Sequence, residues 1–143
     1  MTAEHTPRIA AGERHSLRTF LAALRERGET ATIDAAFDPA GFELSACLSA
    51  LDPGPALIFP NVGACGIPVV GNLLGSVDRI ALGLGVARGA LSAHIANAIS
   101  RPLAPVVVDG GPAQEVELPP DLGALPIPRF FEHETGPYIT AGC

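Results

Sequence analysis

Residues 54–75 read GPALIFPNVGACGIPVVGNLLG, and this stretch decides the fold class. Two short apolar runs, Ala56–Phe59 and Ile67–Val70, carry no charge and are bounded by Gly and Pro. Apolar runs with such punctuation read as strands buried on both faces. The connection between them, Pro60 to Gly66, is rich in turn formers and too short for a crossover helix. The two strands are therefore expected as a hairpin or as close neighbours in one sheet. Helical patterns on both sides make this pair the centre of an α/β layer.

Upstream, Ser16 is placed to cap a helix that runs to about Arg27, with Leu17, Phe20, Leu21 and Leu24 on one face. Gly28 is the expected C-terminal stop. Thr30–Ile33 follows as a strand, Asp38-Pro39 as a turn, and Phe42–Leu51 as a second helix ended by Asp52-Pro53-Gly54-Pro55. Downstream, Ser76 is an N-cap for a helix carrying Val77, Ile80, Ala81 and Leu84 at helical spacing. A further helix is expected over Ala90–Ser100, with Leu91, Ile95, Ala98 and Ile99 inward, before Pro102 and Pro105. Pro105–Val108 reads as a buried strand and Gln114–Leu118 as a strand with one exposed face. The Asp109-Gly110-Gly111-Pro112 turn would join them as a hairpin.

From Pro119 the character changes. Five prolines (119, 120, 126, 128 and 137) fall within nineteen residues, the composition of an extended linker crossing a surface. The expected organisation is a flexible tail over 1–15, an α/β domain over 16–118, a linker over 119–137 and a strand over 138–143. A chain that stops inside the apolar strand Tyr138–Cys143 reads as a piece of something larger, produced by truncation, cleavage or gene structure.

Composition narrows the function classes. Of the 143 residues, 48% are hydrophobic and 17% charged, a globular balance with enough chain for one ordinary core. The net charge is −6, and all nine basic residues are Arg. An acidic chain without a basic cluster argues against nucleic acid and anionic membranes as partners. No window of eighteen apolar residues and no signal-peptide core occurs, so the chain reads as cytoplasmic. Cys47, Cys65 and Cys143 form no pairing pattern, and His5, His15, His94 and His133 are scattered singly, so no metal-ligand spacing is present.

Individual candidates for chemistry each have a plainer explanation. Gly83-Leu-Gly85-Val-Ala-Arg-Gly89 is GxGxxxG after a helix, whereas a dinucleotide loop needs GxGxxG after a strand. It reads as a break between two helices. Glu132-His133-Glu134 reads as a polar surface turn, and Cys65, with no cation nearby in sequence, as a buried or half-buried thiol. Glu115 and Glu117 could sit on one strand face like an acid/base pair, with Asp109 near, but an alternating exposed strand explains them. Asn61 and Asn72 lie at strand ends, where turn capping accounts for both. Taken alone, these residues assemble no catalytic site.

Five segments in order add a resemblance: LRTFLAALRERGE, PALIFPNV, IPVVGNLLGSVDRIALGLG, PVVVDGGPAQEVEL and LPIPRFFEHETGPYITAGC. Together they resemble the N-terminal portion of the UbiD-type decarboxylases, over nearly the whole chain from Ser16. The resemblance implies an N-terminal α/β domain, a mixed sheet flanked by helices, leading into the first strand of a split β-barrel that binds prenylated FMN. A C-terminal domain used in oligomerisation would follow. It implies reversible non-oxidative decarboxylation of an α,β-unsaturated or aromatic carboxylic acid by a homo-oligomer. The expected cofactors are prenylated FMN with Mn²⁺ or Mg²⁺ and K⁺, bound mainly by the segment after residue 143. The family's Glu–Arg–Glu catalytic set lies there as well, so no catalytic residue is expected here. At the end of this chain, Cys143 and Thr140 match positions where the family's strand first lines the cofactor cavity. The partner implied is the remainder of the same protein. The alternatives are a stand-alone structural or interaction domain of the same fold, and a phosphate- or nucleotide-binding module resting on Gly83–Gly89.

Overall fold

Side chains alternate along a strand, so Ala56-Leu57-Ile58-Phe59 can be apolar throughout only if both faces are covered. In the computed structural model, which describes residues 16–139, they are. All four residues are buried, and this strand is the middle of three. Leu57 and Phe59 join Leu44 and Val62 in a fully buried cluster, edged by Cys47, Leu48, Ala31 and Val69. Ala56 packs with Leu24 and Leu82, edged by Phe20, Ala23 and Leu73. The result is three layers. One helix covers one face of the sheet and two helices cover the other.

The elements follow the chain: α1 (Leu17–Glu26), β1 (Thr30–Thr32), α2 (Glu43–Ala50), β2 (Ala56–Phe59), β3 (Val69–Gly71), α3 (Val77–Gly83) and α4 (Leu91–Ser100). Strand β1 pairs parallel to β2, with Thr30 opposite Ala56, and α2 is the crossover a parallel pair requires. Strand β3 returns antiparallel, with Leu57 opposite Gly71 and Phe59 opposite Val69. The expected pair of neighbouring strands is thus found, but β3 starts at Val69 rather than Ile67. Pro68 has no N–H to give a ladder, and Ile67 before it is exposed.

Helix ends obey local chemistry. The Ser16 hydroxyl accepts from the Thr19 N–H, and the Thr19 hydroxyl accepts from the Ser16 N–H, a capping box that opens α1. Ser76 caps α3 in the same way through the Arg79 N–H. Both helices close with paired 6→1 and 5→2 hydrogen bonds around a left-handed glycine. In α1, Glu29 N donates to Leu24 O and Gly28 N to Arg25 O, with Gly28 at φ 69°. In α3, Val86 N donates to Ala81 O and Gly85 N to Leu82 O, with Gly85 at φ 67°. The glycines of the 83–89 run therefore end one helix before a short 3₁₀ turn, Arg88–Ala90, and α4. That is the helix break expected. It is not a phosphate loop, because Gly85 lies at a helix C-terminus, the negative end of the dipole.

Beyond α3 the expectations fail in an informative way. Only Leu91 of α4 is buried, whereas Ile95 and Ile99, expected inward, are exposed. Pro105–Val108 forms no strand and is not buried. The 112–114 segment is a 3₁₀ turn, and the expected hairpin with Gln114–Leu118 is absent. Strand-forming side chains form a strand only when paired, and neither edge strand of the sheet, β1 or β3, pairs with this segment. The proline-rich segment does rejoin the domain: Arg129 N donates to Pro39 O at 3.0 Å, and Pro128 is buried. No helix among the described residues is long and apolar enough to cross a membrane.

Candidate functional site

The most organised polar centre is built around a residue that the sequence reading passed over. Arg79 lies in the first turn of α3, on the same side as Leu82, and is only 7% exposed. Its guanidinium donates in three directions: Nε to Glu29 Oε2 at 2.9 Å, Nη1 to Asn72 O at 3.0 Å and Nη2 to Gly54 O at 2.7 Å. Those acceptors come from the exit of α1, the turn after β3 and the breaker before β2. One cation thus ties together three chain segments that meet at one end of the sheet. Asn72, at φ 53°, extends the network by donating through Nδ2 to Leu48 O of α2 at 2.9 Å.

Glu29 is shared between two arginines, with Arg27 Nε 2.8 Å from Oε1. The hydrogen bond from Arg27, and after it that from Arg79, hold the Glu29 carboxyl below its ordinary value of 4.5. Charge-assisted bonds of this kind keep it ionised at neutral pH. A carboxylate with two cationic donors and a guanidinium with three acceptors are poised to hold a shape. Neither is free to move a proton.

Two hollows flank this framework. A cavity of about 340 Å³ is lined by Leu17, Phe20, Leu74, Ile80 and Leu84 and is almost wholly apolar. A groove of about 710 Å³ runs along α2 and β3, lined by Phe42, Ser49, Asp52, Val70, Phe130 and Glu132 among others. Its far wall is held by Glu134, whose side chain is 9% exposed and whose Oε1 accepts from Phe130 N at 2.8 Å. Arg129 Nε lies 3.9 Å from the same oxygen, too long for a hydrogen bond, and its guanidinium sits 5.6 Å from the centre of the Phe42 ring.

The residues singled out from sequence do not converge. Asn61 donates through Nδ2 to Asp34 O at 2.8 Å and Asn72 to Leu48 O, so both tie their turns to segments distant in sequence rather than capping them locally as expected. Glu132 and His133 face solvent, while Glu134 turns back to the chain. Cys65 is exposed, contrary to the buried or half-buried thiol expected. Val62 and Gly63 stay beside Phe37, and the loop then swings outward through Gly63 and Gly66, both at positive φ. Glu115, Glu117 and Asp109 are exposed and on no strand. Thr140 and Cys143 lie outside the described residues. The missed residues were Arg79, Glu29 and the Arg129–Glu134 pair. Only Arg79 left a mark, as a cation three residues before Leu82 on a helix face otherwise apolar.

No group of three His, Cys, Asp or Glu side chains able to hold a metal ion occurs among the described residues. The three acceptors of Arg79 leave it turned into the fold rather than toward a phosphate. The described residues therefore do not by themselves fit a flavin or a metal, and no chemical step is assigned to them.

Comparison with known proteins gives this scaffold its context. In structure the chain superposes on an evolved dimeric form of the UbiD-class enzyme HmfF from Pelotomaculum thermopropionicum, in complex with prFMN, with a TM-score of 0.78 and 33% identity. It superposes on HmfF from the same organism in complex with FMN with a TM-score of 0.75 and 32% identity. The matches cover 89% and 87% of this chain but only 31% and 29% of those chains, so it spans under a third of their length. Residues 21–99, which run from within α1 to within α4 and include the whole sheet, match the 3-octaprenyl-4-hydroxybenzoate carboxy-lyase N-terminal domain. The chain therefore belongs to the UbiD family, as its N-terminal α/β domain.

Proposed function

We infer that this chain is the N-terminal domain of a reversible, non-oxidative decarboxylase acting on an α,β-unsaturated or aromatic carboxylic acid through prenylated FMN. The observation that carries this reading is the combined match: a UbiD N-terminal domain over residues 21–99 within a chain that spans 31% of a prFMN-bound UbiD-class enzyme. Decarboxylation at an sp² carbon leaves an unstable carbanion, and the bound cofactor would supply the electron sink. That chemistry belongs to the remainder of the longer protein, which would also hold Mn²⁺ or Mg²⁺ and K⁺ and the Glu–Arg–Glu set. Thr140 and Cys143 are the residues of this chain proposed to contact the cofactor. The domain itself contributes a rigid platform, pinned at one end by Arg79 and Glu29. The complete protein is a cytoplasmic homo-oligomer in this reading.

The test is CO₂ release from a panel of enoic and aromatic acids by the complete flavin-loaded protein, with dissolved oxygen followed in parallel. Release of CO₂ without oxygen uptake is the expected result. A flavin-loaded protein that releases no CO₂ from any acid, or does so only with oxygen consumed, contradicts it. A stand-alone interaction domain would show neither bound flavin nor CO₂ release.

A further inference from the structure

The family match ends at residue 99, and Leu91 is the last buried residue before the proline-rich segment docks. Directly after comes a segment with the sequence of a strand and none of its pairing. Val106, Val107 and Val108 are 88%, 89% and 68% exposed. Between residues 102 and 110 no N–H or C=O makes a hydrogen bond with any described residue. Three consecutive β-branched residues in extended chain point to both faces of a strand. With both faces apolar and both edges bare of described partners, the segment fits a slot inside a sheet rather than at a sheet edge. Farther on, Val116 and Leu118 are exposed and alternate with Glu115 and Glu117, the pattern of a strand covered on one face.

The occupant follows from length and charge. The superposed part of this chain covers only 31% and 29% of the chains it matches, and the bare segment starts just past residue 99, where the family match ends. From residue 102 to residue 128 the only charged residues are Asp109, Glu115, Glu117 and Asp121, with no Arg, Lys or His. Two copies paired through this segment would bring carboxylates together without a cation. The remainder of the longer protein carries no such penalty. We propose that residues 103–118 form an interdomain β-ribbon, with Val106–Val108 entering the interior of a sheet in the rest of the longer protein. Glu115–Leu118 lies along the same sheet, its two glutamates facing solvent or basic side chains. This rests on the reading of the chain as one domain of a longer UbiD-class protein. It also explains why a hairpin legible in the sequence is absent from the isolated domain.

Amide hydrogen exchange tests it, on this 143-residue chain and on the complete protein, with the flavin absorbance of the complete protein recorded on the same sample. In the chain alone, amides 106–108 are expected to exchange at nearly unfolded rates while 56–59 are protected. In the complete protein 106–108 should slow by at least about 100-fold. Val107→Pro, which removes the N–H of an exposed residue, should leave the melting temperature of the chain unchanged and abolish that protection in the complete protein. Fast exchange at 106–108 in the complete protein overturns the ribbon, as does protection in the chain alone that grows with concentration. Protection without flavin leaves the ribbon standing and removes the functional reading. Flavin without protection does the reverse, and a native protein with only this chain and free exchange removes both.

Discussion

Arg79 shows how much one buried charge can organise. Its three hydrogen bonds reach Glu29, Gly54 and Asn72, positions 50, 25 and 7 residues away in sequence. Removing the guanidinium strands two backbone carbonyls and one arm of a carboxylate. Arg79→Met is therefore expected to cost about 3 kcal/mol. Arg79→Lys should recover less than half of that, because a single ammonium cannot fork to three acceptors. Urea denaturation at constant m-value measures both, and a loss of under about 0.5 kcal/mol for Arg79→Met would show that the network is ornamental. Glu29 gives a pH signature. Its carboxyl is held below 4.5 in the folded chain, so the unfolded chain binds more protons in the window below that value. Its contribution is complete above about pH 4.5 and is lost as pH falls through the lowered value. Glu29→Gln should flatten this part of the acid limb of a urea-midpoint-against-pH curve. An unchanged slope would mean that the ion pairs with Arg27 and Arg79 do not persist in solution.

At the scale of elements, legibility tracked the locality of the cause. Ser16, Gly28, Ser76 and the uncharged run Ala56–Phe59 act on their own neighbours, and each marks its element within a residue or two of where it lies. Arg79 and the Arg129–Glu134 pair act through partners distant in the fold or through a turn whose direction is free, so no spacing rule exposes them. The 83–89 run illustrates the same point from the other side. Its glycines mimic a binding loop, and the hydrogen bonds to Ala81 and Leu82 show a helix terminus instead. Gly85→Ala should cost about 1 kcal/mol because an L side chain is strained at φ 67°. Gly89→Ala, where a methyl group meets open space, should change stability by less than about 0.5 kcal/mol. Thermal melts of the pair give the comparison, and equal losses would rule out the left-handed cap as the reason for Gly85.

At the scale of the molecule, the fold is a scaffold that spans under a third of the UbiD-class enzymes it superposes on. A three-stranded sheet with helices on both faces supplies a core, centred on Leu57 and Phe59 and on Leu24 and Ala56, that stands without any catalytic group. The strand expected over Pro105–Val108 is not formed among the described residues, and the ribbon proposed for it draws its pairing from the rest of a longer protein. The candidate cofactor contacts were likewise reached through the resemblance alone, since Thr140 and Cys143 carry no local signature of a flavin. The proposed role as one domain of a larger flavoenzyme makes a direct demand on the native particle. Denaturing intact-mass spectrometry of that particle, with an absorbance spectrum of the same sample, is the most direct measurement. A polypeptide larger than 14.6 kDa that contains or accompanies this sequence, together with a flavin spectrum, is the result expected. A single 14.6 kDa species without flavin absorbance would contradict it.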